Sequence, residues 1–134
     1  MKDVNNPFGI GKKIEGNNFI GNAYLLSLAN ADWDQNFSVS TVTFEAKARN
    51  NWHRHPHGQI LIATDGIGYY QEENKAVVIL KKGDVIKCQP NVKHWHGASH
   101  NSSFSHLVVM YAPSNEAVVW MEPVTNEYYN EVSK

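Results

Sequence analysis

Seven histidines occur in this sequence, all between His53 and His106. Most fall into short groups: His53-Arg-His55-Pro-His57-Gly-Gln59, then His94-Trp-His96, then His106 in Ser105-His-Leu-Val-Val-Met110. In an extended chain alternate residues share a face, so His53, His55 and Gln59 can point the same way. His94 and His96 repeat that alternation on a second segment, and Val108 and Met110 share the parity of His106. Two imidazoles spaced two apart on a strand are two arms of a chelate. Converging histidines would be costly to bury without partners, because each ring carries polar nitrogens, and a metal ion removes that cost. The pattern therefore predicts a metal centre built from strands.

The elements that must position these residues read as strands. Short β-branched and aromatic runs cover Phe19 to Leu28, Ser38 to Ala46, Gln59 to Thr64, Ile67 to Glu72, Ala76 to Leu80, Asp84 to Cys88 and Ser105 to Tyr111. Turn residues separate them, and Asp65-Gly66 between two apolar runs predicts a tight hairpin, because glycine supplies positive φ. No helical segments of 10 to 15 residues intervene, so the class is all-β, an antiparallel sandwich or barrel. Beyond the strands, Glu116-Ala-Val-Val-Trp-Met and Asn126-Glu-Tyr-Tyr-Asn-Glu predict two short helical stretches divided by Pro123.

With 134 residues the chain is expected to form one domain, residues 1–134, with a barrel core at about 19–111 and a C-terminal extension at 112–134. It carries 12 Lys+Arg against 13 Asp+Glu and no long basic block, which gives no electrostatic reason to expect nucleic acid or a membrane surface. No run approaches the ~20 apolar residues of a membrane span, and the opening residues hold no apolar leader, so a soluble cytoplasmic protein is expected. The single Cys88 cannot form an internal disulfide and reads as a packing residue.

His-x-His-x3-Gln-x6-Gly from His53 to Gly66, followed by Gly83-x10-His94, resembles the two motifs of the cupin superfamily. Gln59 stands where many cupins have glutamate, Lys47 where the first motif begins with glycine, and Gln89 and Asn91 where the second has proline and glycine. Asparagine, like glycine, tolerates left-handed turns. More narrowly, Trp52 to Gln59, Lys93 to Gly97, Ser105-His106-Leu107 and Trp120-Met-Glu122 resemble small bacterial monocupins. Some of those are manganese-dependent hydroxynitrile lyases, and others accompany carboxymuconolactone decarboxylase domains. The resemblance implies a double-stranded β-helix, or jelly roll, with a short C-terminal helical segment, and a homodimer or homotetramer. It also implies metal ligation by His53, His55, Gln59 and His94, with His96 and His106 as catalytic residues in the substrate pocket.

Three imidazoles and a carboxamide are neutral, so one divalent ion per chain would keep its double charge and act as a Lewis acid. The resemblance makes Mn²⁺ the leading expectation, while the donor set itself is also compatible with Fe²⁺, Zn²⁺ or Ni²⁺. An imidazole outside the ligand set can exchange protons near neutral pH. Ser40, Val42 and Phe44 share one strand parity; Ser40 and Val42 with Met110 are expected to line an apolar pocket for a small-molecule substrate. Phe44, Trp33, Trp52, Trp95 and Trp120 read as packing residues, with Trp95 facing away from the metal. His57 and His100 read as bystanders, His100 in an exposed loop. The leading expectation is a metal-dependent enzyme, in its sharpest form a hydroxynitrile lyase-like carbon–carbon lyase. A dioxygenase or isomerase acting on a small aromatic or keto compound, and a noncatalytic ligand-binding cupin, are the alternatives.

Overall fold

A computed structural model describes residues 6–31, 35–111, 113 and 118–133. Twelve antiparallel strands in this set curl into a barrel. They are β1 (Lys12–Lys13), β2 (Phe19–Ile20), β3 (Ala23–Ala29), β4 (Phe37–Phe44), β5 (Arg49–Asn50), β6 (His53–Arg54), β7 (Gln59–Glu72), β8 (Val78–Lys81), β9 (Val85–Cys88), β10 (His94–Ala98), β11 (Phe104–Tyr111) and β12 (Val119–Trp120). One helix, α1 (Asn126–Val132), follows. One wall runs β1-β3-β4-β11-β7, with β9 on the far edge of β7; the other runs β7-β10-β5-β2, with β8 on β7 and the β6–β12 pair on β10.

Strand β7 belongs to both walls, which corrects the hairpin expected at Asp65-Gly66. The chain does not reverse there. Pairing with β11 slips where Ser105 faces Asp65 and His106 faces Ala63, and Gly66 has φ +74°, so the strand bulges and bends into the second wall. A bulge and a tight turn both call for a left-handed glycine, and the local sequence does not distinguish them. A Cβ on Gly66 would lie 1.8 Å from the carbonyl oxygen of Ser103. The run expected at Phe19 to Leu28 is likewise broken into β2 and β3, at Gly21 with φ +81°.

The C-terminal segment departs from expectation in one half. Glu116 and Ala117 lie outside the described residues, and Val119–Trp120 is strand rather than helix, pairing with β6 so that Trp120 stands opposite His53. The β-branched residues beside it favour extended chain, and β6 offers an open edge to pair with. The second half forms α1 as expected, with Thr125 as N-cap accepting from the Tyr128 N–H at 3.1 Å.

Apolar residues bury on two sides of the second wall. Inside the barrel, Val42, Phe44, Leu61, Ala63, Tyr70, Leu80, Cys88, Ala98 and Phe104 pack together. Outside it, Trp52, Tyr69, Trp95, Val124 and Tyr129 form a second core where the C-terminal segment covers the wall. Each buried large side chain contributes about 1.5–3 kcal/mol. Arg49 locks the outer core: its guanidinium donates to Val124 O at 2.6 and 3.0 Å, to Lys47 O at 3.0 Å and to Asn126 Oδ1 at 2.8 Å, and lies over the Tyr129 ring.

Candidate metal centre

Strand pairing sets the geometry of the site. His94 on β10 stands level with His53 on β6, and the inward parity of β10 carries His96 and Ala98 beside it. The resulting cluster runs ring to ring: His55 to His53 at 5.1 Å between centroids, His53 to His94 at 4.2 Å, His94 to His96 at 5.8 Å and His96 to His106 at 4.9 Å. All five rings are buried. Nitrogen atoms of His53, His94 and His96 lie within 4.8 Å of one another and could hold a metal ion. Gln59 joins them, its Nε2 3.3 Å from His94 Nε2. The structure therefore brings together all six polar residues expected at the site.

Backbone carbonyls orient three of the rings. His53 Nδ1 donates to Asn51 O at 2.8 Å, His94 Nδ1 to Val92 O at 2.9 Å and His106 Nδ1 to Leu107 O at 3.1 Å. A carbonyl only accepts, so Nδ1 carries the hydrogen and Nε2 of each ring keeps its lone pair. Burial lowers the pKa of every ring in the cluster: His55 and His106 to about 4, His53 and His96 well below the usual value, His94 in the same direction. Neighbouring histidines push the same way on His53, His55 and His96, because a second imidazolium would repel the first. At neutral pH the site is a set of neutral nitrogen donors.

A cation fits this donor set. Both ring nitrogens of His55 and Nε2 of His106 are buried without any hydrogen-bond partner. Unpaired buried polar atoms cost about 1–3 kcal/mol each, a debt that a metal or a bound substrate can remove. Glu72, level with His94, accepts from Tyr70 OH and Lys75 Nζ, both at 3.0 Å.

The expected pocket residues share the inward face. Val42 is opposite His106, Ser40 opposite Val108, and Met110 opposite Ser38. Val42 is buried while Ser40 and Met110 are half-buried. Phe44 and Phe104 pack around His106 at 5.8 and 5.6 Å. Trp95 faces the outer core as expected, with Nε1 donating to Gln71 Oε1 at 2.8 Å, and Trp52 packs there too. Trp33 lies outside the described residues. Cys88 is buried and its thiol is pushed up to about 11, chiefly by burial, which suits packing rather than nucleophilic attack.

Three residues depart from the sequence reading. His100 stands outside the cluster in a loop, as expected, but is half-buried rather than exposed: Tyr69 OH lies 3.1 Å from its Nδ1 and Asn130 Oδ1 2.9 Å from its Nε2, a bridge from β7 to α1. Trp120 packs on the site itself, 4.9 Å from the His53 ring. Asn50, buried on β5, reaches His96 with both ends of its side chain, and no local spacing marks it.

Comparison with known proteins agrees with the fold. The Cupin domain family (Cupin_2) matches residues 40–110. The chain is a cupin. A solved cupin-like protein from Thermotoga maritima superposes with a TM-score of 0.91 at 39% identity, over 97% of this chain and 98% of that one. A cupin 2 conserved barrel domain protein from Rhodopseudomonas palustris shares the fold at a TM-score of 0.71 and 15% identity, over 90% and 80% of the two chains. Among curated proteins, a 90-residue stretch is 47% identical to an (R)-mandelonitrile lyase of Granulicella tundricola, covering 67% of this cupin and 69% of that enzyme. The described residues contain no helix long and apolar enough to cross a membrane.

Proposed function

We propose that this cupin is a metal-dependent enzyme acting on a small neutral molecule, in its sharpest form a hydroxynitrile lyase. The observation that carries the reading is the buried five-histidine cluster with its unpartnered nitrogens, beside a relative named as a mandelonitrile lyase. His53, His55, His94 and Gln59 are the proposed ligands of one divalent ion, Mn²⁺ foremost. When bound among neutral donors, such an ion supplies Lewis acidity toward a substrate oxygen.

The chain's own residues supply the proton chemistry. His106 Nε2, with a free lone pair and no partner, accepts the cyanohydrin hydroxyl proton. The O–H electron pair becomes the carbonyl π bond, and the carbon–carbon bond to the nitrile breaks with its pair on cyanide. Cyanide leaves on the His96 side and takes up the proton, giving aldehyde and hydrogen cyanide. Phe44, Phe104 and Val42 enclose this step and exclude water. General-base catalysis of this kind is worth about 10²–10⁴-fold. Exposed Phe37, Ile79 and Val85 are consistent with a homodimer or homotetramer.

The test is cyanide and benzaldehyde release from mandelonitrile by Mn²⁺-loaded protein, with His106→Ala as control. Retained metal with turnover lost is the expected result for the variant. Background-level release by the loaded wild type would remove the lyase reading, and a panel of other substrates without turnover would leave a ligand-binding cupin.

A further inference from the structure

Five histidine rings crowd one buried cluster, yet one of them is held differently from the rest. The His96 backbone N–H donates to Asn50 Oδ1 at 2.9 Å. An amide N–H cannot donate to an NH₂ group, so this bond fixes which end of the Asn50 side chain is oxygen. The NH₂ end then faces the His96 ring, 3.2 Å from Nε2 and 3.4 Å from Nδ1. It can only donate, so the ring nitrogen it addresses must offer its lone pair. Nε2 is the nearer of the two. Gln59 makes the contrast: among the described residues no backbone group is bonded to its terminal amide, whose nitrogen lies near His94 Nε2 and Cys88 Sγ, so a half-turn presents oxygen to a cation.

We infer that Asn50 is a positioning residue that occupies the lone pair of His96, withholding that ring from a metal ion and leaving it as a hydrogen donor beside the acceptor His106. The inference rests on the metal reading above. By distance alone His96 belongs with His53 and His94 in a three-nitrogen group. Asn50 breaks that group, and His55, with both nitrogens unpartnered, takes the third place. Two neighbouring imidazoles of the same type thus acquire opposite senses. His106 presents a lone pair, and His96 presents an N–H suited to an anion or a carbonyl oxygen. Asn50 is placed for this because β5 ends there and β6 begins at His53, so its side chain fills the gap in the ladder beside β10.

The test is ¹⁵N NMR of histidine-labelled full-length protein, metal-free and with Zn²⁺ as a diamagnetic probe. In metal-free wild type, His96 should show one tautomer with hydrogen on Nδ1 and a hydrogen-bonded Nε2. Adding Zn²⁺ should shift His53, His55 and His94 to metal-bound positions and leave His96 in place. Asn50→Ala should release His96 to the ion and move its Nε2 to a metal-bound shift, with turnover falling about 10- to 100-fold. Asn50→Asp keeps the oxygen that receives the His96 backbone N–H while removing the NH₂ donor, so it covers the case in which the alanine variant fails to fold. Its carboxylate should draw the ring hydrogen to itself and reverse the tautomer.

A metal-bound His96 in the wild type overturns the inference, as do mixed His96 tautomers in the metal-free protein. His96 signals unchanged in both variants overturn it too. If Zn²⁺ shifts no histidine, the metal reading falls instead, and the metal-free tautomer still decides the Asn50 bond.

Discussion

Strand β10 has two unlike faces. Outward, Trp95 enters a core in which the main polar groups are matched: its indole N–H meets Gln71, Tyr129 OH meets Ala98 O at 2.7 Å, and Arg49 meets carbonyls. Inward, one residue to either side, His94 and His96 enter the histidine cluster, where polar atoms are left over. Both faces are equally buried, so burial does not separate stability from function. Satisfaction does. The outer core adds free energy to the fold, and the inner histidine cluster gives some up in buried nitrogens left without partners.

Acid should break the comparison most forcefully. Burial holds His55 and His106 at about 4, against about 6.5 in an unfolded chain, so between those values the unfolded chain binds more protons. Stability of the metal-free protein is full above about pH 6.5 and falls as pH drops toward 4, by about 1.4 kcal/mol per unit for each such histidine. Urea midpoints measured across that window should fall steeply, and a flat profile would show the rings charging without penalty.

Next in size, Trp95→Ala should cost about 3–5 kcal/mol and lower Tm by about 10 °C or more, while metal stoichiometry in the folded fraction stays unchanged. Calorimetry and metal analysis check the two halves. His55→Leu is the mirror case. An apolar side chain replaces two unpartnered nitrogens, so metal-free Tm should rise, by about 1 kcal/mol equivalent, while metal affinity falls at least tenfold. A lower metal-free Tm would mean that the His55 nitrogens are paired in solution.

The smallest effect belongs to the strand entry that feeds both faces. Lys47 has φ +73°, at the position where the motif resemblance calls for glycine. Lys47→Gly should stabilise by about 0.5–1 kcal/mol, since a left-handed lysine is strained while glycine carries only an entropic cost. A Tm shift of a few degrees upward is the expected reading.

The inner face was legible because its chemistry is local: His-x-His and His-x-His place rings on one side of a strand whatever the rest of the chain does. Asn91, expected to tolerate a left-handed turn, has φ +63°. Asp65-Gly66 was misread because one residue type serves two geometries. Asn50 and Trp120 were illegible for another reason. Asn50 acts on His96, 46 positions away, across a gap between strands, and Trp120 reaches His53 through a pairing that joins opposite ends of the motif region. Neither contact leaves a periodicity in its own neighbourhood.

The β6–β12 pairing also sets an order of events. His53 sits on a two-residue strand held between β10 and β12, with Trp120 against its ring. During synthesis the histidines emerge well before residues 119–120, so for that interval the nascent chain holds donors without a closed chamber. If the cluster holds a metal as proposed, a closed site would form only after a tryptophan outside the donor set has arrived.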